Sequence, residues 1–184
     1  MTPRGAILDY GCGNLASVVN AVRKVGGDPE VVDTPFQIDQ AERIILPGQG
    51  AYRRLHPHLA SQLDNARATD KPILGICLGM QLMCESSEEA PGVKGLGWLR
   101  TKCMKLNAPR LPHVGWNTVG SLGDFYFCHS YAISWRRWDK LTLGEFHTTS
   151  YGDETFMSLL RRRNLWATQF HPEKSGKAGL ELLA

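Results

Sequence analysis

Little in this chain is extreme, and each shortage excludes something. Its 21 Lys and Arg against 18 Asp and Glu leave a net charge of +3 over 184 residues, too mild for a nucleic-acid stripe or a membrane-surface patch. The one basic cluster, Arg161-Arg162-Arg163, reads as a solvated hairpin turn between the apolar runs at 157–160 and 165–170. No apolar stretch is long enough to span a bilayer, and the start lacks a charged-then-apolar signal segment. Five cysteines is an odd count, which does not fit a disulfide framework; the expectation is a cytoplasmic protein with reduced thiols. No cluster of His, Cys, Asp or Glu has zinc-like spacing, so neither a metal nor an organic cofactor is expected. Internal repeats and low-complexity linkers are also missing, which leaves one domain over residues 1–184 as the economical organisation.

What is there begins with alternation. Residues 6–10, 30–33 and 43–46 read as strands and 15–25 and 51–68 as helices, followed by a strand over 72–76 and a helix over 78–85. The second half is strand-rich, at 98–106, 125–131, 144–149, 156–160 and 165–170. The pattern predicts an α/β fold: an open, mostly parallel central sheet flanked by helices, with antiparallel additions in the C-terminal half.

At the junction of strand and helix stands Gly75-Ile76-Cys77-Leu78-Gly79. A cysteine on a sharp strand-to-helix turn is lifted to the carboxyl edge of the sheet, and flanking glycines permit strained backbone and close packing there. Exposed N–H groups at a helix start also favour a thiolate. The plainer reading is a packed core cysteine, the commoner fate of a cysteine in an apolar run. The strand at 165–170, however, delivers His171-Pro172-Glu173 at its end. An imidazole and a carboxylate two residues apart on an extended segment share a side, so Glu173 can orient His171 towards a nucleophile. Cys12, Cys84, Cys103 and Cys128 have no such company and read as packing residues. Pro47-Gly48-Gln49-Gly50 follows another strand, where its small residues let backbone N–H groups approach a ligand, or where it is an ordinary tight turn.

Gly-Ile-Cys-Leu-Gly-Met-Gln (75–81) together with Thr-Gln-Phe-His-Pro-Glu-Lys-Ser (168–175) resembles the class I, or triad, glutamine amidotransferases. Further blocks, Asp9-Tyr10-Gly11-Cys12-Gly13-Asn14-Leu15, Leu46-Pro47-Gly48-Gln49-Gly50-Ala51, Ser86-Ser87-Glu88-Glu89, Pro112-His113-Val114-Gly115-Trp116-Asn117 and Phe125-Tyr126-Phe127-Cys128-His129-Ser130-Tyr131, occur in order. They look like the glutaminase subunits of imidazole glycerol phosphate synthases. The resemblance implies a Cys77, His171, Glu173 triad that hydrolyses L-glutamine through a thioester. It also implies an oxyanion hole from the backbone of Gln49 and Leu78, and substrate contacts from Gly48, Gly50, Gln81, Glu89, Ser130 and Tyr131. In that reading Glu89 takes the substrate ammonium and the backbone at Ser130 and Tyr131 takes its carboxylate. Read bare, Glu89 is a solvated acidic turn, and His113 and His129 are structural histidines satisfying a buried polar group. The implied partner is a (β/α)8-barrel cyclase subunit that receives the ammonia.

The chain departs from the resembled pattern in four places. The segment 117–125 is short, Gln49 stands where a small or apolar residue is usual, residues 52–57 are bulky and basic, and the final helix stops early. Three other readings stay open: a paralogous glutaminase that supplies ammonia for amidine formation on sugars, a non-catalytic partner-binding subunit, and a free-standing γ-glutamyl hydrolase.

Overall fold

The computed structural model describes residues 4–137 and 144–184. Chain order runs β1 (Arg4–Leu8), α1 (Leu15–Lys24), β2 (Asp28–Val32), α2 (Pro35–Gln40), β3 (Arg43–Leu46), α3 (Pro57–Ala68), β4 (Ile73–Ile76), α4 (Leu78–Leu82) and β5 (Cys84–Ser87). It continues through β6 (Leu99–Lys105), β7 (His113–Thr118), β8 (Asp124–His129), β9 (Tyr131–Ala132), β10 (Glu145–Tyr151), β11 (Glu154–Arg162), β12 (Leu165–Thr168) and α5 (Gly176–Leu183).

Seven strands form the central sheet in the order β10-β11-β12-β4-β3-β1-β2. β2, β1, β3, β4 and β12 run parallel to their neighbours, while β10 and β11 join antiparallel, as the sequence pattern predicts. Alternation along the strands sorts side chains to two faces. Ala6, Leu8, Ile44, Leu46 and Ile73 join Ile38 of α2 and Leu59 and Leu63 of α3 in one core. Ile7 and Ile76 pack with Val18 of α1 on the other. A third cluster, built on Phe125, Phe127, Phe156 and Phe170, lies beneath Ala178 and Leu182 of α5.

The outer strand β2 carries Asp28, Pro29 and Glu30, and Glu30 lies 3.6 Å from Arg4 on β1. At the opposite side of the sheet, Arg163 turns the β11–β12 hairpin at φ 52° and the Arg161 guanidinium stacks 4.1 Å from the Trp166 ring. The basic run is therefore a hairpin end, as its sequence context indicates.

Several expected boundaries move. Residues 51–56 are not helical: Pro57 opens α3, where its missing N–H costs nothing, and the preceding segment is held by Glu89 Oε2 accepting from Tyr52 N at 3.0 Å. The helix after Cys77 ends at Leu82 rather than 85, because residues 84–87 pair in parallel with β6. β7 is a strand that the sequence pattern did not single out; it pairs with β8 from His113↔His129 to Thr118↔Asp124. The short segment 117–125 is the end of this hairpin, closed by Val119 N donating to Gly123 O at 2.8 Å.

The carboxyl ends of β1, β3, β4 and β12 share one edge, and packing there is tight. A Cβ placed on Gly79 would stand 2.0 Å from Leu46 O, with no flexible group to yield. Gly79→Ala is expected to lower the unfolding free energy by about 2 kcal/mol, as overpacking of a fixed interior does. Urea denaturation measures it, and an unchanged midpoint would remove the claim that this contact fixes the helix to β3.

Candidate active site

Cys77 follows β4 directly and adopts φ 52°, ψ −102°, a combination that non-glycine residues hold at a cost of about 1–3 kcal/mol. The surroundings enforce it. Cys77 N donates to Thr168 O on β12 at 2.6 Å, and Cys77 O accepts from Gln81 N at 3.1 Å. The side chain is 5% exposed, with Sγ 3.8 Å from Cys128 O and 3.5 Å from Gln169 Nε2.

His171 follows β12 three residues after Thr168, the register partner of Ile76, with its backbone N–H bonded to Tyr126 O at 2.9 Å. Its Nδ1 lies 2.8 Å from Glu173 Oε1 inside the protein, with both side chains almost wholly buried. The carboxylate accepts, so Nδ1 carries the hydrogen. Here the sequence reading is right about the pair and wrong about the path: residues 172–174 form a 3-10 turn rather than an extended segment. Pro172 has the φ of a helix start and no N–H to lose, and Lys174 N closes the turn on His171 O at 3.0 Å.

His171 Nε2 and Glu173 Oε2 are buried without a hydrogen-bond partner among the described residues. Burial by itself lowers the imidazole pKa. Cys77 acts against it most strongly, through charge and then hydrogen bonding, followed by the Glu173 hydrogen bond and charge, and together they raise His171 to about 10. The geometry therefore favours a protonated imidazole.

The turn expected to complete the site lies against the elbow. A Cβ on Gly48 would meet Leu78 Cβ at 2.4 Å and Leu78 N at 2.6 Å, so the backbones of Gly48 and Leu78 touch. Gln49 O accepts from Gly13 N at 2.9 Å, its side-chain oxygen accepts from Lys174 Nζ at 3.3 Å, and Tyr10 OH donates to Pro47 O. Gly50 sits at φ 129°.

Other expected residues are placed with different emphasis. Gln81 is 4% exposed, and its Nε2 donates to Tyr131 O at 2.8 Å and Gln169 Oε1 at 3.4 Å; its two amide hydrogens are thus spent inside the protein. Glu89 braces Tyr52 N through one oxygen, which ties the turn at 48–50 to the 86–89 segment. Ser130 O accepts from Leu106 N at 2.9 Å, and Tyr131 pairs with Lys105. Gln169 was missed. It is wholly buried beside the sulfur, and the available signal was a lone amide inside the apolar strand before His171. Cys84 and Cys103 are packing residues as expected, fully buried with sulfurs 3.5 Å apart. Among the described residues, no group of three or more His, Cys, Asp or Glu could hold a metal, and no helix is long and apolar enough to cross a membrane.

The His171 shift has a definite sign. Its folded value, about 10, exceeds the ordinary 6.5, so the stability it supplies is full below about pH 6.5 and disappears as pH rises through 10. The stability deficit of His171→Gln relative to wild type, measured by urea unfolding, should shrink between pH 6.5 and pH 10; a deficit that stays constant would contradict the proposed charge state.

Comparison with known proteins identifies the family. The model of the family described as glutamine amidotransferase class-I matches residues 6–184. The imidazole glycerol phosphate synthase subunit HisH of Methanopyrus kandleri is 43% identical, covering 97% of this chain and 94% of its own. The Pyrococcus furiosus HisH is 40% identical over 98% and 96%. The Emericella nidulans imidazole glycerol phosphate synthase hisHF is 38% identical over 98% of this chain but only 37% of its own length. Among solved structures, PurLQS from Thermotoga maritima superposes with TM-score 0.78 at 18% identity, over 99% of this chain and 96% of that one; at such identity the likeness concerns the fold. By family match and by the identity of its relatives, the chain belongs to the class-I glutamine amidotransferases.

Proposed function

We propose that this chain is the glutaminase subunit of an imidazole glycerol phosphate synthase, hydrolysing glutamine and passing ammonia to a cyclase subunit in histidine biosynthesis. The observation that carries the proposal is the buried His171–Glu173 pair beside Cys77 on a strained elbow. Relatives at about 40% identity over nearly the whole chain are named as subunits of that synthase. One domain over residues 1–184, located in the cytoplasm, belongs to the same reading.

In the proposed reaction the Cys77 thiolate attacks the side-chain carbonyl of L-glutamine, and a C–S bond forms as the carbonyl oxygen takes negative charge. The backbone N–H groups of Gln49 and Leu78 hold that oxyanion; one such donor typically supplies about 3 kcal/mol of transition-state stabilisation. The tetrahedral adduct collapses with cleavage of the C–N bond, and His171 Nε2 gives its proton to the departing ammonia. Water then adds to the glutamyl thioester, returning a proton to His171, and glutamate leaves Cys77. Glu173 keeps the Nδ1–H tautomer throughout and stabilises the charged ring. Gln169 Nε2 donates to Cys77 Sγ at 3.5 Å and holds the sulfur in place.

Glutamine lies between the turn Gly48-Gln49-Gly50 and the 130–131 segment, its carboxylate on the backbone of Ser130 and Tyr131 and its ammonium near Glu89. Gln81 serves through its oxygen, its amide hydrogens being occupied. Ammonia leaving this site is lost to water unless a second protein receives it. A (β/α)8-barrel cyclase subunit fits that need, and the hisHF relative, of which this chain spans little more than a third, has length for a second unit. No cofactor enters the scheme.

The test is glutamine hydrolysis by the purified chain, alone and with the cyclase subunit of the same organism plus its nucleotide ligand. Hydrolysis should rise strongly in the complex, and Cys77→Ala should abolish it by about a thousandfold or more, as loss of a nucleophile does. Lack of stimulation by a functional cyclase would move the assignment to the sugar-modifying branch; activity retained in Cys77→Ala would end the triad reading altogether.

A further inference from the structure

Two histidines outside the triad face each other across the β7–β8 hairpin. His113 and His129 are register partners, and His113 Nδ1 lies 3.2 Å from His129 Nε2. The protons along this contact can be assigned in sequence. His129 Nδ1 lies 3.0 Å from Tyr131 O; a carbonyl only accepts, so Nδ1 bears the hydrogen. In a neutral ring Nε2 is then the acceptor, which makes His113 Nδ1 the donor. His113 Nε2 is left to accept from Asn117 Nδ2 at 3.3 Å, and the same amide group donates to Ser150 O at 3.0 Å while its oxygen accepts from Thr118 N at 2.8 Å. Every link is satisfied by one arrangement of hydrogens.

That arrangement needs both rings neutral, and the packing supplies it. His113 is stacked between Phe127 and Tyr151, at centroid distances of 4.8 and 4.0 Å. Burial lowers His113 to about 4; burial, then the charge of His113, lowers His129 to about 3. Aromatic packing alone would explain two apolar side chains at these positions. It does not explain two imidazoles whose hydrogen bonds end on the carbonyl of Tyr131.

We propose that His113 and His129 are positioning residues for glutamine, holding the Ser130–Tyr131 backbone in the orientation that receives the substrate carboxylate. Tyr131 O is gripped from two sides, by His129 Nδ1 and by Gln81 Nε2 from the elbow helix. Ser130 O is fixed by Leu106 N. With both carbonyls tied into the protein, the peptide planes on either side of Tyr131 are set, and the Tyr131 N–H, opposite Ser130 O across a trans peptide, points away from Leu106. The chain thus links β10, through Ser150, to the substrate-facing backbone. This inference rests on the glutaminase reading above.

The test uses the full chain in complex with its cyclase subunit and L-glutamine. His129→Leu removes the donor to Tyr131 O and should raise KM by about tenfold or more with kcat within about threefold, the pattern of lost ground-state binding. His129→Asn retains a side-chain N–H near the Nδ1 position and should restore KM to within about threefold of wild type. An unchanged KM in His129→Leu overturns the proposal, as does His129→Asn behaving like His129→Leu, since a packing role would be served equally by either. Ring 15N spectra of the wild-type chain give a readout independent of turnover: hydrogen on Nδ1 of both histidines, unprotonated down to pH 5, is expected, and a protonated ring at pH 6 overturns it. Absence of hydrolysis by the wild-type complex would sink the glutaminase reading instead, and the ring spectra would still decide the hydrogen-bond chain.

Discussion

Everything at the candidate site depends on one unfavourable piece of backbone, the positive φ of Cys77. A residue with a Cβ does not rest there unless its neighbours leave no alternative. The neighbours are strands β3 and β12 on either side of β4, with Cys77 N bonded to Thr168 O and the helix that follows pressed onto Leu46 through Gly79. The parallel sheet therefore does more than carry Cys77. It balances the strain with a hydrogen bond from β12, the same strand that leads to His171.

A second constraint is electrostatic. The interior that hides His171 and Glu173 would favour neutral groups, yet the imidazole is held protonated because the sulfur and the carboxylate flank it. Elsewhere in the same interior, burial drives His113 and His129 towards the neutral form. Three buried histidines thus divide into one charged and two neutral according to whether a thiol and a carboxylate group lie beside the ring. The backbone at Ser130 and Tyr131, by contrast, is held by neutral hydrogen bonds from His129, Gln81 and Leu106.

The parts of this design legible in the sequence were those with local causes. A buried strand running into Gly-x-Cys-x-Gly exposes the elbow, and His171 and Glu173 are close in the chain whatever the intervening conformation, so the pair was found even though the 3-10 turn at Pro172 was not. Pro57 had the information to start α3, but the apolar periodicity reaching back to residue 51 obscured it. The β7 strand and the early end of α4 escaped because their causes are pairings with β8 and β6, distant or weakly patterned segments. Gln169 escaped for a related reason: one amide in an apolar strand has no periodicity, and only the fold reveals that the sulfur stands above it. The roles of Gln81 and Glu89 were partly hidden by the same effect, since their bonds to Tyr131 and Tyr52 join segments far apart in the chain.

The outer strand β2 has a consequence for how the molecule meets others. Pro29 offers no hydrogen to a newcomer, and Asp28 and Glu30 on either side of it bring charge to the sheet's open margin. Such a margin resists extension by another strand, which discourages end-to-end stacking of copies into fibrils. Recognition by another protein is thereby directed away from backbone pairing at this edge and towards side-chain surfaces, where selectivity between partners is easier to encode.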